Sequence, residues 1–157
     1  MTTTQDVQNF LGLSRIAMVG VSRDWRDFSR ALFREMCNRG YEMIPVNPVA
    51  AEIEGEPCAP SLREVQPRVE GVLIMTPARE TLGVVQACVE LGIQHVWIYR
   101  AGGVGAMNPE AVALCKQHNI HVIEGHCPYM FFPRTPFLHR AHGFILKLTK
   151  RYPIVAA

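Results

Sequence analysis

The sequence predicts an α/β fold built on a parallel five-stranded sheet, and three observations carry that reading. Short apolar runs at residues 16–21, 42–46, 71–75, 95–99 and 120–123 alternate with segments whose apolar residues recur at helical spacing, the pattern of strands joined by crossover helices. The first run has no polar alternation, as in a strand buried on both faces. That run leads through Gly20-Val21-Ser22 into a helical segment and a second strand, the opening βαβ unit of a nucleotide-binding sheet.

Each element has its own signal. Val7, Phe10 and Leu11 mark a short leading helix, closed by Gly12 and Ser14. Phe28, Leu32 and Met36 fall at i, i+4 and i+8 on a helix over 28–39, with Gly40 as its natural terminator. The second strand follows at 42–46. Residues 47–70 are broken by Pro48, Gly55, Pro57, Pro60 and Pro67, and only 61–65 reads as a short helix, with Ser61 as N-cap and Glu64 three residues on. Glu52, Glu54 and Glu56 read as a solvated loop. A helix from Pro77 to Leu91 has proline at its start and Gly92 past its end. Asn108-Pro109 caps a helix reaching His118. Right-handed crossovers predict the strand order 3-2-1-4-5. The ligand site is then expected beyond the carboxyl ends of the strands, near the switch between strands one and four.

Composition narrows the class. At 157 residues and 48% hydrophobic, the chain fits one domain with a sizeable core. It has no apolar run of membrane-spanning length and no secretion signal at Met1-Thr2-Thr3-Thr4. Five scattered cysteines without a C-x-x-C fit reduced thiols in the cytoplasm. The net charge of +2 is uneven: Arg15, Arg23, Arg26, Arg30, Arg34 and Arg39 crowd the region around the glycine turn. A local cluster of this kind suits a phosphate-rich small molecule, while the isoelectric point near 8.3 argues against nucleic acid.

The candidate site grows from the first turn. Gly20 lets the backbone turn without a Cβ clash. The loop amides can then face a diphosphate, with the Ser22 hydroxyl as a further donor; an ordinary tight turn would read the same way. Arg23, Arg26 and Arg30 add cations suited to phosphate oxygens, although a solvated helix face pairing with Asp24, Asp27 and Glu35 has the same appearance. Val46-Asn47-Pro48 ends the second strand where a dinucleotide dehydrogenase places an acid for the ribose. This ending disfavours an ordinary NAD site and offers a wall for an adenine. His118, His121, His126 and Cys127 lack the spacing of a structural zinc site, so no metal is expected. Ser, His and Asp occur without a nucleophile elbow, and the sequence pairs Cys127 with no histidine and acid. No catalytic residues are assigned.

Together these residues resemble the small stand-alone CoA-binding proteins related to the CoA-binding domain of succinyl-CoA ligase α subunits. The resemblance rests on Val19-Gly20-Val21-Ser22 with Ser29 seven residues on, Gly40-Tyr41, and Pro45-Val46-Asn47-Pro48. It continues through Ser61-Leu62, residues 69–72, Gly83-Val84, Gly92, Trp97, Cys127-Pro128 and Pro133-Arg134. It runs from about residue 10 to 134. It implies a Rossmann-like three-layer fold and a site for coenzyme A. Gly20, Val21 and Ser22 would hold the diphosphate, assisted by Ser29. Val46, Asn47 and Pro48 would flank the adenosine, and Thr76 and Pro77 would lie beside the ligand. The chain departs from the family pattern at Trp25 and Asp27, where the family often has proline and arginine. It departs again at Tyr99, where glutamine is usual, and in the longer glycine-rich loop 100–108.

The expectation is therefore a Rossmann-like CoA-binding domain over 1–134 and a basic amphipathic tail over 135–157. The tail's helix carries Phe137, Leu138, Ala141, Phe144, Ile145 and Leu148. That stripe is expected to pack on the domain or on a second copy in a homodimer, with an anionic membrane surface as the less favoured use. The expected function is binding of coenzyme A or an acyl-CoA by a cytoplasmic module without catalysis of its own. The alternatives are an NAD(P)-type oxidoreductase using the Gly102-Gly103 loop, or an interaction subunit docking on an acyl-CoA ligase-like partner.

Overall fold

The structure, a computed structural model, describes residues 1–101 and 103–133; Gly102, Arg134 and the expected tail helix lie outside them. Helix α1 (Thr4–Leu11) opens the chain, held by a capping box in which Thr3 and Asp6 bond each other's backbone. Strand β1 (Arg15–Val19) leads to α2 (Phe28–Asn38), and β2 (Glu42–Val46) follows. Asp27 caps α2, and Gly40 beyond its end has φ +92. The segment after β2 holds a small antiparallel hairpin, β3 (Glu52–Ile53) and β4 (Glu56–Pro57), and a 3-10 turn at Leu62–Glu64. Then come β5 (Gly71–Ile74), α3 (Ala78–Leu91), β6 (His95–Tyr99), α4 (Pro109–Gln117) and β7 (His121–His126). Gly92 ends α3 in the left-handed conformation, and the Asn108 side chain caps α4.

The five long strands form one parallel sheet, so the α/β Rossmann-like class holds. Their order is β2-β1-β5-β6-β7. Counting only these strands, that is 2-1-3-4-5, which corrects the expected 3-2-1-4-5. The reason lies in residues 47–70. Leu62, Val65 and Val69 of this segment join Val72, Val85 and Val112 in one apolar cluster, the layer formed by α3 and α4. The opposite face is already covered by α1 and α2, whose Val7, Phe10, Leu32, Phe33 and Met36 pack with Ile16 and Met18. A right-handed crossover over the α3 face carries the chain past β1 and pairs β5 with its far side, Ile16↔Gly71 to Val19↔Ile74. The topological switch therefore falls between β1 and β5, not between strands one and four. The loops after those two strands face each other.

β1 shows how the layers are built. Ile16 and Met18 point into the α1/α2 cluster and Ala17 and Val19 into the other, all nearly or fully buried. Glu54, expected in a solvated loop, is instead drawn against α2. It accepts from Arg30 Nε at 2.7 Å and Arg34 Nη1 at 2.8 Å.

The end of the sheet remote from the switch carries a pH dependence. His95 stacks on His121 with ring centroids 5.3 Å apart, and its buried Nδ1 has no hydrogen-bond partner among the described residues. Desolvation, then the neighbouring His121, holds His95 below its ordinary pKa against the opposing pull of Asp6 and Glu70. The unfolded chain takes up this proton near pH ~6.5, the folded one only lower. Between those values the unfolded state binds more protons, so stability falls as pH drops through that window and levels off beneath it. Desolvation depresses His126 in the same direction. Thermal melts between pH 7.5 and 5 should show this loss, and His95→Gln should reduce its slope; an unchanged slope would clear His95 of the role.

Candidate functional site

A cleft of about 740 Å³ opens at the switch point, where ligands of open parallel sheets bind. One wall is the turn after β1. Gly20 has φ +92, and a Cβ there would come 2.6 Å from the Thr76 nitrogen. Only glycine lets the β1 and β5 turns approach this closely.

The loop from Ser22 to Asp27 is folded back on itself by its own polar groups. The Ser22 amide donates to Ser29 Oγ at 2.9 Å, and Ser29 Oγ donates to Asp27 Oδ1 at 2.5 Å. The Asp24 amide donates to Ser22 Oγ at 3.1 Å. Arg30 braces the loop from behind, reaching the Ser22 and Arg23 carbonyls at 3.3 Å each while Glu54 holds its guanidinium. Gly20 N is committed to the Val46 carbonyl at 3.1 Å. The amides of Val21 and Arg23 are left without a hydrogen-bond partner among the described residues.

The second wall is the end of β2. Asn47 is a clamp: its Nδ2 donates to the Val21 carbonyl at 2.9 Å, and its Oδ1 accepts from the Val49 and Ala50 amides. Its side chain thus fixes the two loops to each other, and Val46 and Pro48 present the surface. The third wall comes from Thr76 and Pro77, with Thr76 7% exposed.

Of the residues expected at the site, Gly20, Val21, Ser22, Arg23, Val46, Asn47, Pro48, Thr76 and Pro77 line this cleft together. Three do not. Ser29 turns inward to close the loop and borders a smaller neighbouring cavity. Arg30 is spent on loop carbonyls and Glu54. Arg26 lies out on the loop, paired with Asp24 at 3.5 Å and with its guanidinium over the Trp25 ring. Asp27, unassigned in the sequence reading, lines the cleft. So do Pro60 and Arg63 from the second crossover and Glu80, Gly83 and Ala87 from α3. Gly83 and Ala87 stand at i and i+4, and their small size keeps the floor open. That i, i+4 pairing of small residues in the middle of α3 is a signal the sequence carries.

The charges balance locally. Arg63 is held by Glu90 at 2.7 Å and Glu80 by Arg79 at 3.4 Å, whereas no ion pair forms at the Arg23 guanidinium among the described residues. Cys127 is 2% exposed, and burial pushes its thiol up to about 11, so it is protonated at neutral pH. No group of three metal-ligating side chains occurs among the described residues.

A family model described as a CoA binding domain matches residues 14–133. The chain belongs to this CoA-binding domain family. It is 30% identical over 113 residues to the uncharacterized protein YneT of Bacillus subtilis (strain 168), covering 72% of this chain and 81% of that protein. A hypothetical protein from Pyrococcus horikoshii OT3 has the same fold with a TM-score of 0.74 at 23% identity, covering 92% of each chain. The apo dinucleotide-forming acetyl-coenzyme A synthetase 1 of Ca. Korarchaeum cryptofilum matches with a TM-score of 0.65 at 25% identity. That match spans 76% of this chain and 27% of the synthetase.

Proposed function

We propose that the chain binds coenzyme A or an acyl-CoA in this cleft and performs no chemistry of its own. The observation that carries the reading is the unpartnered, exposed Arg23 amide beside the uncommitted Arg23 guanidinium, at the switch point of a CoA-binding domain. The Arg23 amide and guanidinium and the Ser22 hydroxyl face the diphosphate, with the buried Val21 behind them. Val46 and Pro48 flank the adenosine, and the pantetheine arm leaves past Thr76 and Pro77. The likeness to part of an acetyl-coenzyme A synthetase supports the same ligand class. The absence of catalysis is supported by the protonated, buried Cys127. It is supported also by the commitment of Arg63 and Glu80 to partners outside any reacting pair. Five free cysteines favour a reducing, cytoplasmic setting. Among the described residues no helix is long and apolar enough to cross a membrane.

Calorimetry with CoA, acetyl-CoA, NAD and ATP tests the reading: binding of the first two is expected, and NAD binding without CoA binding would overturn it. Gly83 supplies a site-directed check. A Cβ built there meets nothing within 4 Å. Gly83→Ala should therefore raise stability by roughly 0.5–1 kcal/mol through helix propensity. Gly83→Phe projects a ring into the cleft and should weaken CoA at least tenfold with the fold intact. Full affinity in Gly83→Phe would place the ligand elsewhere.

A further inference from the structure

Beside the cleft lies a second cavity of about 310 Å³, room for roughly ten waters at liquid density. The two share Asp27, Met75, Thr76 and Pro77, so a ligand lying in the cleft can continue into it past this neck. Three of the four departures from the pattern the sequence resembles meet here, Asp27 at the neck, Tyr99 in the wall, and Gly105 and Ala106 of the loop 100–108 in the roof, while the fourth, Trp25, is exposed and lies outside the lining.

The roof is fixed. Ala106 N donates to the Tyr99 carbonyl at 3.0 Å, and Thr81 Oγ1 donates to the Ala106 carbonyl at 2.7 Å. Gly105 has φ +56, and a Cβ there would come 2.8 Å from the Tyr99 oxygen. Phe28 stacks on Tyr99 with centroids 5.6 Å apart, which gives the wall a rigid apolar surface. Among the described residues the lining has one charge, the Asp27 carboxylate, and no cation. Burial and the proximity of Cys127 and Asp27 push the Tyr99 phenol up, so it stays an uncharged donor.

We infer that this cavity is an acyl subsite, and that Asp27 makes it select uncharged acyl groups over acyl groups ending in a carboxylate. The inference rests on the CoA reading. An apolar chain gains from burial against Phe28, Met75 and Tyr99, about fourfold in affinity per methylene at ~0.8 kcal/mol each. A terminal carboxylate meets Asp27 with no cation among the described lining residues to offset it. At an exposed neck, where water screens the pair, that repulsion corresponds to about fivefold at a separation of ~4 Å.

Butyryl-CoA and succinyl-CoA are the matched probes, equal in carbon count and differing at the far end. Calorimetry on the full chain should rank butyryl-CoA above acetyl-CoA and at least tenfold above succinyl-CoA. Asp27→Asn and Asp27→Ser both keep a good N-cap on α2, and both should narrow the gap between the four-carbon thioesters severalfold. Equal binding of those two by the natural chain, or an undiminished gap in both variants, overturns the acyl subsite while CoA binding stands. Failure to bind CoA and all three thioesters overturns the CoA reading and this inference with it.

Discussion

Gly20→Ala is expected to cost about 2–5 kcal/mol of stability and to remove ligand binding. Two effects add. At φ +92 an L side chain is strained, on the scale of ~1–2 kcal/mol. The new Cβ would also sit 2.6 Å from the Thr76 nitrogen and 2.9 Å from the Met75 carbonyl carbon. Those are backbone atoms of the neighbouring turn and cannot swing aside, so overpacking adds ~1–3 kcal/mol. Relief comes only by separating the β1 and β5 turns, and those turns are two walls of the cleft. Gly40 supplies an internal control. It has the same φ of +92, but a Cβ there meets nothing within 4 Å. Gly40→Ala should therefore show the conformational cost alone and leave ligand affinity untouched. Urea denaturation of the two variants, with calorimetry on the folded fraction, separates strain from clash. If Gly20→Ala is no worse than Gly40→Ala, the close approach of the turns contributes nothing.

The elements themselves were legible because each carries a local cause. Asp27 and Asn108 cap α2 and α4 with their side chains, Gly92 closes α3, and the apolar runs of the five strands are the sheet. The strand order was not legible, because it turns on a choice that no local pattern encodes. Leu62, Val65 and Val69 could cover either face of the sheet, and only the prior occupation of one face by α1 and α2 decides between them. The hairpin β3–β4 was missed for a related reason. It is two residues per strand, and Ile53, 1% exposed, anchors it by long-range packing.

The same division runs through the site. Nine of the expected residues line the cleft because they follow strand ends, and strand ends are visible in the sequence. The roles of Ser29, Arg30 and Asn47 were not visible. Each has chemistry suited to a phosphate or a base, yet each is consumed in holding a loop: Ser29 by the Ser22 amide, Arg30 by Glu54, Asn47 by Val21, Val49 and Ala50. A residue type shows what a side chain can bind. Its neighbours decide whether that capacity remains for a ligand. Arg23, whose own carbonyl Arg30 braces, is the arginine of the three for which it does.

Phe10→Ala should cost about 3–5 kcal/mol, the range for emptying a buried aromatic site, and should leave the ligand affinity of the folded protein unchanged. Phe10 is 1% exposed and meets the indole of Trp97 edge-on, with centroids 5.3 Å apart at 79°. Trp97 is itself fully buried and donates its Nε1 to the His126 carbonyl at 2.9 Å. It is fixed on both sides and cannot collapse into the space left by the ring. The loss falls on α1, which has few other anchors: Val7 is its remaining fully buried residue. The site is insulated from this loss. It lies at the opposite ends of the strands, and its walls are tied together by bonds that α1 does not share, Asn47 to Val21 and Gly20 to Val46. Phe10→Leu, which refills most of the volume, should recover more than half of the stability and serves where the alanine variant is too weak to assay. Denaturant midpoints give the first quantity and calorimetry with CoA the second. A parallel fall in affinity and stability would mean that the sheet transmits the packing of α1 to the switch point, and that the two ends of the strands are not independent.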